Sequence, residues 1–175
     1  MNNFAHIKPL FKYNKVAYYS VVLNDNKESL YEEFVKRHEL NNKNKLYHIL
    51  KWLQVIGKKY GAQNRFFRNE AYTADTSALP PVGKDRKPYY IENGKKKNNT
   101  LRLYCLRANE HVVFLFSGDI KTANKAQDCP NVKPHFLLAN QLSKAIDEAF
   151  KNRNIIWNDD FTLINCDKNF KLYFS

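Results

Sequence analysis

The chain has 175 residues, of which 43% are hydrophobic, and its 29 Lys and Arg against 17 Asp and Glu give a formal net charge of +12. This length and apolar fraction allow a buried core and exclude a disordered chain. The positive charge favours a polyanionic partner such as RNA, DNA or a ribosome, although a generally basic, soluble surface is the alternative interpretation.

The cysteines and the apolar runs indicate the compartment. Three cysteines without C-x-x-C spacing predict neither a disulfide framework nor a zinc site, and a reducing cytoplasm fits them best. The first fifteen residues lack the apolar stretch of a signal peptide, and no run approaches the roughly 18 apolar residues that span a bilayer. We therefore expect a cytoplasmic protein without a membrane partner.

The N-terminal half predicts one strand followed by two helices. Residues 16–23, VAYYSVVL, are β-branched and aromatic, as is typical of a buried strand. Ser29 and Glu32 have the spacing of a capping box, which predicts a helix over SLYEEFVKRHE. Apolar residues spaced by three and four predict a longer helix from about 44 to 60; they are Leu46, Ile49, Leu50, Leu53 and Ile56.

The middle of the chain combines turn residues with concentrated charge. Prolines and glycines without periodicity predict that residues 69–100 are mostly loop, around a possible short strand at 89–91. Eight Lys and Arg against two acidic residues lie in the window 84–107, which holds a net charge of +6, half of the chain's total. A loop this long inside a domain is often functional.

Two strand-like runs follow, LRLYCL at 101–106 and HVVFLF at 111–116, and the short connection RANE predicts an antiparallel hairpin. Alternation places Leu101, Leu103 and Cys105 on one face of the first strand. Arg102 and Tyr104 then share the other face, which is polar and aromatic.

The C-terminal part predicts one helix and a final hairpin. Proline is tolerated in a first turn, so a helix begins near Pro134. Its apolar side is formed by Leu138, Leu142, Ala145, Ile146 and Ala149. FTLINC at 161–166 and FKLYF at 170–174 predict the hairpin. We find no repeat or linker that divides the chain.

This order of elements resembles the RelE/ParE toxin superfamily, and particularly its HigB-like branch. That family has a strand with a basic residue in an "lR-Y" pattern, an apolar strand, a "KKT" element and a helix with alanine near its start. The matching segments here are LRLYCL, HVVFLFSGDIKTANKAQ and PHFLLANQL, so the resemblance covers roughly residues 100–142, and the N-terminal half agrees in pattern only.

The resemblance implies an α+β, RelE-like fold: an antiparallel sheet, an N-terminal helical hairpin packed on one face, and a further helix after the central hairpin. It implies a single domain over residues 1–175, with an enlarged loop at about 69–99 and a C-terminal extension at about 151–175. It further implies the toxin of a type II toxin-antitoxin system, a ribosome-dependent mRNA endonuclease with mRNA, the ribosome and a cognate antitoxin as partners and no cofactor or metal.

The alternative function is a non-catalytic RelE/ParE-like binder. Such a protein inhibits gyrase, or is phage-encoded and blocks an RNA or protein site. ParE-like relatives share the fold but generally lack the basic catalytic set, so the presence of Arg102 and Lys121 favours the nuclease.

RNA cleavage by the neighbouring 2′-OH needs a base, cations for the phosphorane charge and an acid for the leaving oxygen. The resemblance implies that Arg102 and Lys121 are the cations, and Tyr104 and His135 are the acid and base candidates. The implied RNA-binding residues are Lys95, Lys96, Lys97, Arg107 and Lys125.

Structural alternatives remain for these positions. Arg102 also fits the pattern of a solvated strand residue. Tyr104 also fits an aromatic residue that packs on the sheet, and His135 fits a structural or an exposed side chain. Lysines in a Gly-Asn-rich loop are ordinarily exposed, which favours general electrostatic docking by 95–97 over direct catalysis. Glu70 and Glu92 stay open as a general base.

Overall fold

The computed structural model describes residues 3–70 and 74–175 and shows a mixed β-sheet with helices on both faces, an α+β arrangement. The strands are β1 (Asn3–Lys12), β2 (Ala17–Leu23), β3 (Arg68–Asn69), β4 (Thr76–Leu79), β5 (Ile91–Glu92), β6 (Lys95–Lys96), β7 (Leu103–Arg107), β8 (Val112–Leu115), β9 (Ile155–Trp157), β10 (Ile164–Cys166) and β11 (Leu172–Phe174). Seven of them form the main sheet in the order β11-β1-β2-β8-β7-β4-β3, while β5 pairs with β6 and β9 with β10.

Three α-helices pack on this sheet: α1 (Leu30–Asn41), α2 (Lys43–Val55), which continues as a π-helical turn, and α3 (Lys133–Lys151). The capping box begins α1, because Glu32 N–H donates to Ser29 Oγ and Ser29 N–H donates to Glu32 Oε1, both at 3.1 Å. Pro134 lies in the first turn of α3, as predicted. In the described part of the chain, no helix has both the length and the apolarity to cross a bilayer.

Alternation along the central strands separates two cores. Leu103 and Cys105 face α1 and α2, together with Phe34 of α1. Tyr104 and Phe114 face the opposite side, where α3 covers them. The predicted division of β7 into two faces is therefore confirmed, and both of its faces are buried.

The predicted direction of the strands is wrong at one position. The sheet is not wholly antiparallel, because β2 and β8 pair in parallel while β7 and β8 form the expected antiparallel hairpin. Long connections through helices can return a strand in the same direction, and apolar runs carry no information on direction. The helices α1 and α2 pack on one face, as predicted, and the further helix α3 packs on the opposite face, which carries Tyr104.

The edges of the sheet also differ from the prediction. FTLINC and FKLYF do not pair with each other: β10 pairs with β9, and β11 pairs with β1. The predicted loop at 69–99 contributes β4 to the main sheet, next to β7, and the short hairpin of β5 and β6. Residues 71–73 of that segment lie outside the described residues. The strand β1 has no counterpart in the sequence prediction.

Candidate anion-binding site

Arg102 and Lys121 lie next to each other because strand pairing continues beyond β7 and β8. Arg102 N–H donates to Asp119 O at 3.0 Å, and Lys121 N–H donates to Thr100 O at 2.8 Å. Leu101 and Ile120 form the bridge between these two bonds. Since Leu101 packs toward α1 and α2, alternation directs Arg102 and Lys121 toward the opposite face.

Arg68 and Glu70 complete a charged cluster at this end of the sheet. Lys121 Nζ lies 3.3 Å from Glu70 Oε2, and the two side chains are only 12% and 10% exposed. Arg68 pairs with Ala78 in β4, which in turn pairs with Tyr104, so that Arg68 and Tyr104 point to the same face. We call Arg68, Glu70, Arg102, Tyr104 and Lys121 the anion site.

The anion site holds three cations and one carboxylate away from bulk water. Arg102 is 8% exposed, and its Nη1 donates to Asn99 O at 2.6 Å and Leu101 O at 3.2 Å. Burial, followed by the charge of Arg68, lowers the pKa of Arg102 to about 10, while Glu70 acts in the opposite direction. The guanidinium thus stays charged at neutral pH, and the site carries excess positive charge.

Two buried donors of the anion site have no partner in the described part of the chain. Among the described residues, Arg102 Nε and Tyr104 Oη have no hydrogen-bond partner, and Tyr104 is fully buried against the ring of Phe136. A buried polar group without a partner costs about 1–3 kcal/mol. An anion with several acceptor oxygens would balance the excess charge and offer partners to such donors, so this arrangement suits a phosphate group.

The acid and base candidates lie in different surroundings. Burial first, and then Glu70, raise the pKa of Tyr104, which keeps its phenol protonated. His135 lies in the first turn of α3, and burial followed by the charge of Arg37 lowers its pKa, so that the imidazole is neutral at pH 7. Among the described residues, no hydrogen bond joins His135 to the anion site.

His135 belongs instead to a neighbouring group around Gly118. Arg37 Nη2 donates to Gly118 O at 2.6 Å, and His38 Nε2 lies 3.1 Å from the same oxygen. The charge of His38 also acts on the pKa of His135. The structure thus brings Arg102, Lys121 and Tyr104 together and places His135 beside them, in this group.

The three consecutive lysines lie on the exposed hairpin of β5 and β6. Lys96 Nζ lies 4.0 Å from the ring centroid of Tyr89, a cation–π contact. The hairpin leads directly into Asn99, whose Nδ2 donates to Lys45 O at 2.9 Å and whose carbonyl accepts from Arg102. Asn99 therefore connects the basic hairpin to the anion site.

The remaining basic candidates are apart from this cluster. Arg107 lies at the other end of β7, where its Nε donates to Ala62 O. Lys125 is exposed just before a short 3-10 turn at Ala126–Asp128. Of the two carboxylates left open as a general base, Glu70 belongs to the anion site and Glu92 lies on β5 of the hairpin.

Sequence reasoning missed Arg68 and Cys129. Arg68 sits on a two-residue strand, too short to be recognised as one. Cys129 is buried, and Thr122 N and Oγ1 both lie 3.3 Å from its Sγ. Burial acts to raise the pKa of this thiol, but hydrogen bonds from Thr122 and from the Val132 and Ala123 backbone outweigh it and lower the pKa to about 6. Most of these donors are backbone groups, which leave no sequence signal.

Neither a metal site nor a related protein adds to this description. Within residues 3–70 and 74–175, no three His, Cys, Asp or Glu side chains lie close enough together to hold a metal ion. No family model, no curated protein and no solved structure matches the chain.

Proposed function

We propose that this protein is a toxin of the RelE/ParE type, a ribosome-dependent mRNA endonuclease that inhibits translation in the cytoplasm and is held in check by a cognate antitoxin. One observation carries the proposal: Lys121 pairs with Glu70, the charges of Arg68 and Glu70 act on nearby Arg102, and two buried donors have no partner among the described residues. Cleavage through a phosphorane needs such preorganised cations and donors. The resemblance of residues 100–142 to the HigB-like branch adds the RNA substrate and the RelE-like fold.

Four residues of the anion site have a role in this chemistry. Arg102 and Lys121 bind the scissile phosphate, and the guanidinium suits its paired oxygens. Tyr104, whose raised pKa keeps the phenol protonated, donates its proton to the leaving 5′-oxygen. Glu70 within the site, or neutral His135 beside it, accepts the proton of the attacking 2′-OH.

The exposed lysines supply the docking surface. Lys95, Lys96 and Lys97 reach into solvent on the hairpin of β5 and β6, and Lys125 is exposed on the segment that follows β8. Such lysines bind phosphates along the RNA without reading its sequence. Arg107, half-buried at the far end of β7, contributes charge at the edge of this surface.

A second function, the non-catalytic binder, is favoured by the burial of the anion site. Tyr104 is 0% and Arg102 8% exposed beneath α3 and the segment that precedes it. An internal RNA phosphate reaches these groups only if part of that cover moves. A binder that blocks an RNA or protein site needs only the exposed lysines.

Primer extension on translating ribosomes separates the two functions. We expect wild-type protein to cut mRNA, and Arg102→Met or Lys121→Met to reduce the cleavage rate by about 100-fold or more, as the loss of one oxyanion-stabilising donor does. Methionine keeps most of the apolar stem of either side chain. Lys121→Met also leaves the Glu70 carboxylate without its partner, so we expect this variant to melt at a lower temperature. Growth arrest on expression disappears together with cleavage.

Lys144→Met is the control, because it removes one positive charge from an exposed position of α3 that belongs neither to the anion site nor to the docking surface. It should cut at a rate close to wild type, and melting temperatures of all variants show whether each one is folded. If the wild type cuts nothing, or if the folded site variants cut as fast as Lys144→Met, the nuclease proposal fails and the non-catalytic binder replaces it.

A further inference from the structure

The anion site contains a carboxylate, which an anion-binding site does not need. Glu70 Oε2 lies 3.3 Å from Lys121 Nζ, and the Glu70 side chain is 10% exposed. A carboxylate can only accept hydrogen bonds, and it repels an anion whose oxygens also only accept. In partly buried surroundings this repulsion is weakly screened. A ligand of this site therefore has to bring a hydrogen-bond donor of its own.

The remaining groups of the site are donors. Arg102 Nε and Tyr104 Oη are buried and have no partner among the described residues, and Lys121 has donors beyond its bond to Glu70. The complementary ligand has negative oxygens for Arg102, Tyr104 and Lys121, and one hydroxyl for Glu70. A phosphate group with a hydroxyl on it, or directly beside it, has this pattern.

We propose that the anion site selects a phosphate group that carries or adjoins an O–H, and that Glu70 accepts the hydrogen bond of this hydroxyl. Two ligands share this chemistry. Inorganic phosphate at neutral pH keeps a P–OH, and RNA places the ribose 2′-OH next to its 3′-phosphate. Sulfate and DNA lack the hydroxyl. The inference rests on the phosphate-binding part of the proposed function and does not require cleavage.

Calorimetric titration of the full chain at pH 7 tests the selection. We expect wild-type protein to bind inorganic phosphate about tenfold or more tightly than sulfate, which matches it in shape and charge, because sulfate leaves a buried carboxylate facing acceptor oxygens. A ribonucleoside 3′-monophosphate is compared with its 2′-deoxy counterpart in the same way. Tighter binding of the ribonucleotide means that the hydroxyl bound by Glu70 is the ribose 2′-OH of RNA. Equal binding of the two nucleotides means that it is the P–OH of inorganic phosphate.

The substitution Glu70→Gln tests whether Glu70 accepts the hydrogen bond of the ligand's hydroxyl. The amide has the same size without the charge and can turn its NH₂ toward the ligand, so both anions should bind more tightly and the ratio between them should fall below about threefold. Glu110→Gln is the control, since Glu110 is exposed at the turn between β7 and β8, and it should keep the wild-type ratio. If Glu70→Gln does not fold, two affinity ratios of the wild-type protein still test the selection. They are phosphate over sulfate, and the ribonucleotide over its 2′-deoxy counterpart.

Three results overturn the inference: phosphate and sulfate bind the wild type equally, neither anion binds, or folded Glu70→Gln keeps the full ratio. These results differ from a failure of the proposed nuclease. Selective phosphate binding by a protein that cuts no mRNA supports the inference and refutes the nuclease. Cleavage of mRNA by a protein that binds phosphate and sulfate alike supports the nuclease and refutes the inference.

Discussion

At the scale of single residues, Tyr104 shows a conflict between stability and binding. Its hydroxyl is fully buried without a partner among the described residues. We expect Tyr104→Phe to raise the free energy of unfolding by about 1 kcal/mol or to leave it unchanged, because the substitution removes a desolvated group and keeps the ring. Phosphate affinity should fall. Urea denaturation and calorimetric titration measure the two effects.

Tyr18 is the matched control for this prediction. It is also buried in the sheet, but its hydroxyl donates to Leu53 O at 2.7 Å. Tyr18→Phe should therefore lower the free energy of unfolding by about 1–2 kcal/mol, since it leaves the carbonyl without its donor. A similar loss for Tyr104→Phe would mean that the Tyr104 hydroxyl is bonded in the folded protein and is not free for a ligand.

At the scale of elements, α3 packs on the sheet through apolar residues, and one of its carboxyl groups, Asp147, interacts with Asp75 beside β4. Burial, followed by a hydrogen bond that protonated Asp147 donates to Asp75, raises the pKa of Asp147 in α3 to about 7. Asp75 is the residue just before β4. Because the folded state holds this proton more tightly than the unfolded chain does, stability falls as the pH rises from about 4 to 7. The hydrogen bond between the two carboxyl groups forms only while one of them is protonated.

Asp147→Asn should remove this part of the pH dependence, because the amide keeps a donor at every pH. We expect the variant to melt a few degrees above wild type at pH 8 and close to wild type at pH 4 to 5. Calorimetric melting temperatures across this range provide the test. Asp159→Asn, at an exposed position, controls for the loss of one negative charge. An equal gain at pH 5 and pH 8 would contradict the shared proton.

At the scale of the whole molecule, the net charge of +12 favours binding to polyanions, and half of it lies between residues 84 and 107. If the hairpin of β5 and β6 contacts RNA, replacing Lys95, Lys96 and Lys97 by alanine should weaken RNA or ribosome binding. It should also reduce the slope of log K against log salt by about 2, because three phosphate contacts are lost. Titrations at several salt concentrations measure both quantities.

Replacing three lysines outside the hairpin tests whether the position of the positive charge matters for RNA binding. Lys144, Lys151 and Lys168 are exposed on α3 and the C-terminal segment, away from the hairpin in sequence. Their replacement by alanine lowers the net charge by the same amount but should change the salt slope little. Identical slopes for both triple variants would show that binding depends on net charge, and that the hairpin is not the contact surface.

The sequence by itself determined the local elements of this protein. The apolar runs of β2, β7 and β8, the capping box at Ser29 and the first-turn proline of α3 all correspond to observed structure. These signals are local: a strand between two cores needs apolar residues on both faces, and a helix start needs donors and acceptors a few residues apart. For the same reason alternation along β7 placed Arg102 and Tyr104 together.

Only the tertiary structure decided which elements meet. The parallel pairing of β2 with β8, and the pairing of β11 with β1, join segments that are far apart in the chain. The anion site depends on the same kind of contact, since a two-residue strand brings Arg68 and Glu70 to residues 102–121. Short strands have weak intrinsic preference and gain their stability from their neighbours, so their pairing, and with it the site, is decided by packing over the whole sheet.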